Sequence, residues 1–405
     1  MAAFASGNSI LKNINNGYDS LTVINALRAL GVVIEHDSTK HNVKVYGIAG
    51  KHQSKEKTII NSHESGLCMR LMTAMLSAGY GHYAVHAAQR MEQRPIHDLV
   101  GPLTNNGAII KYNKRYGMPP IDIFAQGLQG GDIHIKGDIS SQYTSALLMA
   151  TAFATNSTTI HLSPDSISLP YIDLTLDLLE KFMVQAYKID THTIMIPPQQ
   201  NYKAQTMIIE PDISAASYFF AYALINKKCI TISNIASSKQ PGMLFLNAIE
   251  QMGAKISNNN NAITVAYSQP LQAITIDMAA SPDEAMTLAI LALFAKGTTT
   301  ITNIASWRYK ESNRLQVMTT ELRKVGAIVS MGDNFIAITG IKELCNATIA
   351  THNDHRIAMC FALLDDTGCL IKLDDKKCVA KSFPDFFKIL QQCKNTCNAT
   401  ILTNS

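Results

Sequence analysis

A chain of 405 residues is too long for one compact core and suits two domains of roughly 200 residues each. Apolar residues make up 47% and charged residues 16%, which argues against disorder, and a net charge of +4 is too small and scattered for a nucleic-acid-binding stripe. No apolar run long enough to span a bilayer and no basic leader with a small-residue cleavage site appears, so the sequence points to the cytoplasm, without membrane contact.

Eight cysteines fall without C-x-x-C pairs or zinc-type spacing and read as reduced, packed thiols. Along the chain one pattern recurs: a helix-like stretch ends on Gly and passes into a β-branched strand. Its copies are centred on Gly31, Gly107, Met183, Gly253 and Gly326, spaced by 76, 76, 70 and 73 residues, with a weaker sixth copy at "PDFFKILQQCKN". The spacing predicts one unit of strands and helices used about six times, three per lobe, although helix-Gly-strand turns are also common in unrelated chains. The polar, proline-containing stretch before "TMIIEPDISAAS" reads as a crossover between lobes, which sets predicted domains of 1–208 and 209–405. "SNNNNA" reads as a hairpin tip.

Cation-bearing segments recur at predicted helix starts. "ESGLCMRLM" offers Gly66 for close backbone approach and Arg70 one turn on, and "MEQRPIHDL" sets Arg94 before a proline, where the chain cannot yet be helical. "GDISSQYTSALLM" places Ser140, Ser141 and Gln142 before an apolar helix, and "SISLPYIDL" adds Ser168 and Tyr171; these suit a phosphate with hydroxyls, although one serine alone is more simply an N-cap. Asp283 opens "DEAMTLAI" either as a dipole partner or as a general base. "SWRYKESNRL" is expected to put Lys310 and Arg314 one helical turn apart beside Glu311; a lone cluster of this kind is an ordinary solvated face, and the other segments make it an anion site with a proton carrier. "NDHRIAM" puts Asp354, His355 and Arg356 at another helix start, and "AKSFPDFF" puts Lys381 at a third.

Taken together, "GDISSQYTSALLMA", "LPYIDLTL", "PDEAMTLAILALFAKGTTTITNIASWRYKESNRL", "ELRKVGA", "NDHRIAM" and "KSFPDFF" resemble, in this order, the 5-enolpyruvylshikimate-3-phosphate synthases, over about residues 20 to 390. The resemblance implies an α/β fold of two lobes, each of three βαβαββ units in an inside-out α/β barrel, closing on the substrates between them. It implies transfer of the enolpyruvyl group of phosphoenolpyruvate to the 5-hydroxyl of shikimate 3-phosphate, in the shikimate pathway that leads to chorismate and aromatic amino acids. No metal or organic cofactor and no nucleic-acid partner is implied, and family members are commonly monomers. Carried over by motif, Ser140, Ser141, Gln142, Ser168 and Tyr171 would hold shikimate 3-phosphate. Gly66, Arg94, Arg314, Arg356 and Lys381 would hold phosphoenolpyruvate, with Arg70 and Ser306 also among the substrate contacts. Lys310 would lie between the ligands, Asp283 would be the base on the 5-hydroxyl, and Glu311 would handle the proton at the methylene carbon.

The chain departs from the family pattern at several points. Glu64-Ser65-Gly66-Leu67 stands where Asn, Ser or Ala, Gly and Thr are usual, Ser306 where Asn often precedes Trp, and Gln240-Pro241-Gly242 where Gln-Gly-Asp is common. The family's Lys-Ser-x-x-x-Arg segment has no counterpart, so the chain is expected to begin inside the first helix and to leave a second-lobe strand without a neighbour. Two alternatives follow. One is a catalytically impaired ligand-binding homologue, and the other is the transferase acting on UDP-N-acetylglucosamine, whose mobile loop carries a cysteine that "KYNKRYGMPP" lacks.

Overall fold

The computed structural model describes residues 1–137, 140–164, 166, 169–396 and 398–401. The chain separates into two compact units, Met1–Ile209 and Glu210–Ser405. Among the described residues no helix is long and apolar enough to cross a membrane.

In the first unit a short 3-10 turn leads to β1 (Asn8–Lys12), α1 (Tyr18–Ala29), β2 (Val33–Asp37) and β3 (Asn42–Tyr46). Next come β4 (Thr58–Asn61), α2 (Gly66–Ser77), β5 (Tyr80–His86), α3 (His97–Asn105), β6 (Ile109–Tyr112) and β7 (Ile121–Gln126). A third set follows: β8 (Gly131–Ile135), α4 (Ser141–Thr151), β9 (Thr158–Leu162), α5 (Leu169–Lys181), β10 (Tyr187–Lys188) and β11 (Thr193–Ile196), before β12 (Thr206–Ile208). The three sheets run β12-β1-β3-β2, β4-β5-β7-β6 and β10-β11-β9-β8. Each joins one parallel pair to an antiparallel hairpin, the pairing that a βαβαββ chain path generates.

The second unit opens with α6 (Ile213–Ile225), β13 (Cys229–Ser233), α7 (Met243–Gln251), β14 (Lys255–Asn259) and β15 (Ala262–Ala266). It continues with β16 (Thr275–Asp277), α8 (Glu284–Leu291), β17 (Thr298–Thr302), α9 (Arg314–Lys324), β18 (Ile328–Met331) and β19 (Phe335–Thr339). The last set is β20 (Ala347–Ile349), α10 (His355–Ala362), β21 (Ile371–Leu373), α11 (Phe386–Lys394) and β22 (Asn398–Ile401). Its sheets run β14-β15-β13-β22 and β16-β17-β19-β18, with the same pairing, while β20-β21 has two strands among the described residues. Every residue of α6 and of α8 is buried, as expected of helices that are apolar all round and form the centre of a core. In the first unit α2 and α4 are likewise mostly buried, whereas α1, α3 and α5 there, and α7 and α11 in the second unit, bury only one face.

The repeat is visible in backbone angles. Gly31, Gly107, Gly253 and Gly326 all have positive φ, at 81°, 104°, 103° and 96°, where the chain leaves a helix for a strand. Met183 occupies the equivalent place with φ 61° and is 66% exposed, so an L side chain accepts the left-handed conformation by pointing to solvent. Asn260 and Asn261, both at positive φ, make the expected two-residue hairpin tip between β14 and β15.

The helix expected to open at Met1 is instead a single 3-10 turn, Ala2–Phe4. Ala5 turns extended, and Ser6 bridges in parallel to Lys203, which draws the chain into the sheet at once. Ala3, Phe4 and Ala5 are buried in the first unit's core, with the Phe4 ring 6.4 Å from that of Phe153. In the second unit β13 has neighbours on both sides, β15 and β22.

Candidate active site

The densest chemistry lies in the second unit, where three helix starts and two 3-10 turns supply charged side chains. Trp307, fully buried in the turn Ala305–Tyr309, donates its indole N–H to the Pro282 carbonyl at 2.6 Å and so fixes the residue before Asp283. Asp283 precedes α8 in an αR conformation and makes no capping bond, so its carboxylate is available to other partners. Oδ1 accepts from Arg314 Nη1 at 2.8 Å and lies 3.7 Å from Lys310 Nζ, and Oδ2 lies 3.2 Å from Arg356 Nη2. Burial alone would push this carboxyl up, but Arg356, Lys310 and Arg314 together outweigh it and hold Asp283 well below the usual carboxylate range.

Lys310 and Arg314 do not share a helical turn as the sequence suggested. The Asn313 side chain accepts from the Gln316 N–H and starts α9 at Arg314, while Lys310 is extended after its 3-10 turn. Both side chains nonetheless reach Asp283. Arg314 is 1% exposed and binds three carboxylates: Asp283, Glu311 through Nη2 at 2.7 Å, and Asp354 through Nε at 2.9 Å and Nη2 at 3.2 Å. Asp354 caps α10 by accepting from the Arg356 N–H, and it also accepts from Ser312 at 2.9 Å. Lys381 is likewise not at a helix start; it ends the 3-10 turn Lys377–Lys381 and donates to Glu311 Oε1 at 2.9 Å. Glu311 is thus held between two cations. His355 is buried, and burial pushes its imidazole down to about 3, so it is neutral at physiological pH.

The first unit holds a second group. Ser65 caps α2 by accepting from the Cys68 N–H at 3.2 Å, and Gly66 follows. A β-carbon at Gly66 would lie 3.0 Å from Arg94 Nη1, so the glycine is what admits the guanidinium against the helix start. Arg94 itself is extended, three residues ahead of α3. Arg70, one turn along α2, donates to Gln142 Oε1 at 2.7 Å and to Ser140 Oγ at 3.3 Å, and its guanidinium lies 4.9 Å over the Tyr143 ring. Ser140 caps α4, and Ser141 is its first residue. Tyr171 is half-buried on α5, whereas Ser168 lies outside the described residues.

The structure therefore joins Asp283, Lys310, Glu311, Arg314, Arg356 and Lys381 in one charge network, and Arg70 with Ser140 and Gln142 in another. Sequence reasoning gave Asp354 no site role, although its place before a His-Arg pair at a helix start was the available signal. It missed Tyr143, which carries no spacing signal. Among the described residues no group of His, Cys, Asp and Glu is arranged to hold a metal ion.

Five four-stranded sheets of one pattern and paired carboxylates among fixed cations define an enolpyruvyl transferase of two-lobed α/β fold. The solved EPSP synthase from Acinetobacter baumannii superposes with a TM-score of 0.80 at 25% identity, covering 97% of this chain and 91% of that one. The family model of EPSP synthase (3-phosphoshikimate 1-carboxyvinyltransferase) matches residues 1–390. A 3-phosphoshikimate 1-carboxyvinyltransferase of Shewanella loihica is 40% identical over 389 residues, 96% of this chain and 91% of that protein. One from Aliivibrio fischeri is 39% identical over 394 residues, 97% of this chain and 92% of that protein. The chain belongs to the EPSP synthase family.

Proposed function

We propose that the enzyme transfers the enolpyruvyl group of phosphoenolpyruvate to the 5-hydroxyl of shikimate 3-phosphate and releases phosphate, a step toward chorismate and the aromatic amino acids, with Asp283 and Glu311 as its proton carriers. The observation that carries this reading is the pairing of two half-buried carboxylates with separate cations: Asp283 with Lys310 and Arg356, Glu311 with Lys381, and Arg314 bridging both.

In the addition step the 5-hydroxyl gives its proton to Asp283, its oxygen bonds to C2 of phosphoenolpyruvate, and the methylene carbon gains a proton from Glu311. In the elimination step the C–O bond to phosphate breaks as the new methyl group returns a proton, leaving the enol ether and inorganic phosphate. Asp283 in the resting site is a weak base, because the cations stabilise its charged form. When Lys310 and Arg356 take the anionic substrate, their hold on Asp283 falls and its basicity rises, so binding and activation are coupled. Arg314 keeps the two carboxylates apart and oriented. In the first unit Ser140, Ser141, Gln142, Ser168 and Tyr171 would serve shikimate 3-phosphate, with Arg70 orienting Ser140 and Gln142. Gly66 and Arg94 would serve phosphoenolpyruvate, as would Arg356 and Lys381 in the second unit, with Ser306 a further substrate contact.

The test is a pair of isosteric variants. Asp283→Asn and Glu311→Gln should each lower kcat by at least about 100-fold while calorimetric affinity for shikimate 3-phosphate stays within about threefold. Parallel losses of affinity and turnover would assign both carboxylates to structure rather than chemistry.

A further inference from the structure

Arg94 owes its place to the backbone on either side of it. Its own N–H donates to the Met91 carbonyl at 3.0 Å, and the Ile96 N–H donates to the Gly117 carbonyl at 2.8 Å. Between them Pro95 has no N–H to give, and its carbonyl accepts from the hydroxyl of Tyr143 at 2.5 Å, 48 residues along the chain. Tyr143 follows Gln142 on α4 and is fully buried. Burial pushes its phenol above the ordinary value, so the hydroxyl stays a donor.

The ring of the same side chain meets the other polar group of the first unit. The Arg70 guanidinium lies 4.9 Å over it, and Arg70 in turn donates to Gln142 Oε1 at 2.7 Å and to Ser140 Oγ at 3.3 Å. One residue thus touches both sets of contacts, and the reaction scheme leaves it unused. A side chain with no exposed surface acts through its neighbours rather than on a substrate. We infer that Tyr143 is a positioning residue for phosphoenolpyruvate: by holding the Pro95 carbonyl it sets the direction in which Arg94 leaves the chain toward Gly66. This rests on the reading of Arg94 as a phosphoenolpyruvate contact.

The physical logic is that proline does half of the work. Its ring fixes its own φ and keeps Arg94 extended, at φ −96° and ψ 130°, but leaves the peptide that follows Pro95 free to rotate. The Tyr143 hydroxyl stops that rotation. Little slack is left at the far end of the side chain, because a β-carbon at Gly66 would already lie 3.0 Å from Arg94 Nη1. A turn of the backbone at Pro95 therefore carries the guanidinium either into α2 or away from its start. Hydroxyl and ring have separable effects: the hydroxyl acts on Arg94, the ring on Arg70.

The test measures the KM for phosphoenolpyruvate and the calorimetric affinity for shikimate 3-phosphate in the full chain, with thermal melts to confirm folding. Tyr143→Phe keeps the ring under Arg70 and removes only the hydroxyl, so the KM should rise about three- to tenfold while shikimate 3-phosphate affinity stays within about twofold. In an Arg94→Ala background the same substitution should change the KM by less than about 1.5-fold, because the route through Arg94 is already cut. An unchanged KM in Tyr143→Phe, or equal losses for both substrates, would overturn the role of Tyr143. So would a full further rise in the Arg94→Ala background. If Arg94→Ala alone leaves the KM unchanged, the assignment of Arg94 fails first and the role of Tyr143 falls with it.

Discussion

Two aspartates stand immediately before two helices of the second unit and serve opposite ends. Asp354, before α10, is fully buried, caps its own helix, takes a hydroxyl from Ser312 and anchors Arg314. Asp283, before α8, makes no capping bond, remains 22% exposed and turns its carboxylate toward Lys310, Arg314 and Arg356. Both are held in the charged form by guanidinium groups, so the depressed acidity alone does not tell them apart. What separates them is what else each oxygen does. A carboxylate used up by backbone and buried partners is part of the frame, whereas one left facing cations at the edge of solvent can exchange a proton.

The largest expected effect breaks the frame. Asp354→Ala leaves Arg314 buried without its main partner and should destabilise the second unit by about 3 to 5 kcal/mol. Asp283→Ala takes the carboxylate from Arg356 but leaves Arg314 with Asp354 and Glu311, and should cost less than the Asp354 variant. Urea unfolding of both variants measures the difference, and equal losses would erase the distinction drawn between the two aspartates. A smaller effect is expected from Arg94, whose guanidinium sits against Gly66 in the first unit. Arg94→Ala should raise the KM for phosphoenolpyruvate by about 10- to 100-fold, the equivalent of about 1.5 to 3 kcal/mol for a charge-assisted contact, with kcat changed far less. An unchanged KM would remove Arg94 from the binding site.

The smallest effect concerns His355, the neighbour of Asp354. Its folded-state pKa is depressed from 6.5 to about 3, so on acidification the unfolded chain takes up a proton that the folded chain refuses. Stability from this group is present above 6.5 and lost as pH falls toward 3, which amounts to about 2 kcal/mol by pH 5. Asp283 and Asp354, also depressed, lose their contribution only as pH falls below the ordinary aspartate value of 3.8. His355→Asn should therefore flatten the stability profile between pH 7 and 5 and leave the steeper loss below pH 4. A profile that keeps its slope in the upper window would assign that slope to other groups.

How much of this was legible in the sequence depended on whether backbone or partners set the outcome. The repeat could be read because all five of its turn positions are left-handed and four carry glycine, and the regular spacing placed Met183 among them although it accepts that conformation with an L side chain. The residues of the charge network were legible as types at helix starts, but their local structure was not. A four-residue spacing suggested that Lys310 and Arg314 share a helix, yet one side-chain bond from Asn313 moves the helix start past Lys310. The 3-10 turn at Ala2–Phe4 was read as helix from the missing Lys-Ser-x-x-x-Arg segment, which says nothing of local pairing, and its early end is followed by a bridge from Ser6 to Lys203, far along the chain. Tyr143 was invisible for a similar reason: its partners Pro95 and Arg70 come from two separate segments.

The strands that close each unit carry a further consequence, for the order in which the protein can fold. β1 pairs in parallel with β12, and the Ser9 hydroxyl accepts from the Gln205 N–H across 196 residues of chain. In the second unit β13 pairs in parallel with β22, and Lys228 Nζ holds the Cys393 carbonyl 165 residues away. Each unit thus starts beside the strand that ends it. On a ribosome neither first sheet can be completed until nearly the whole unit has emerged, and the β1 and β13 edges must wait unpaired through that interval. Such long-range pairing is slow to form and exposes strand edges meanwhile. The vulnerable species for aggregation is therefore a nascent chain that has made its helices but not yet received its closing strand.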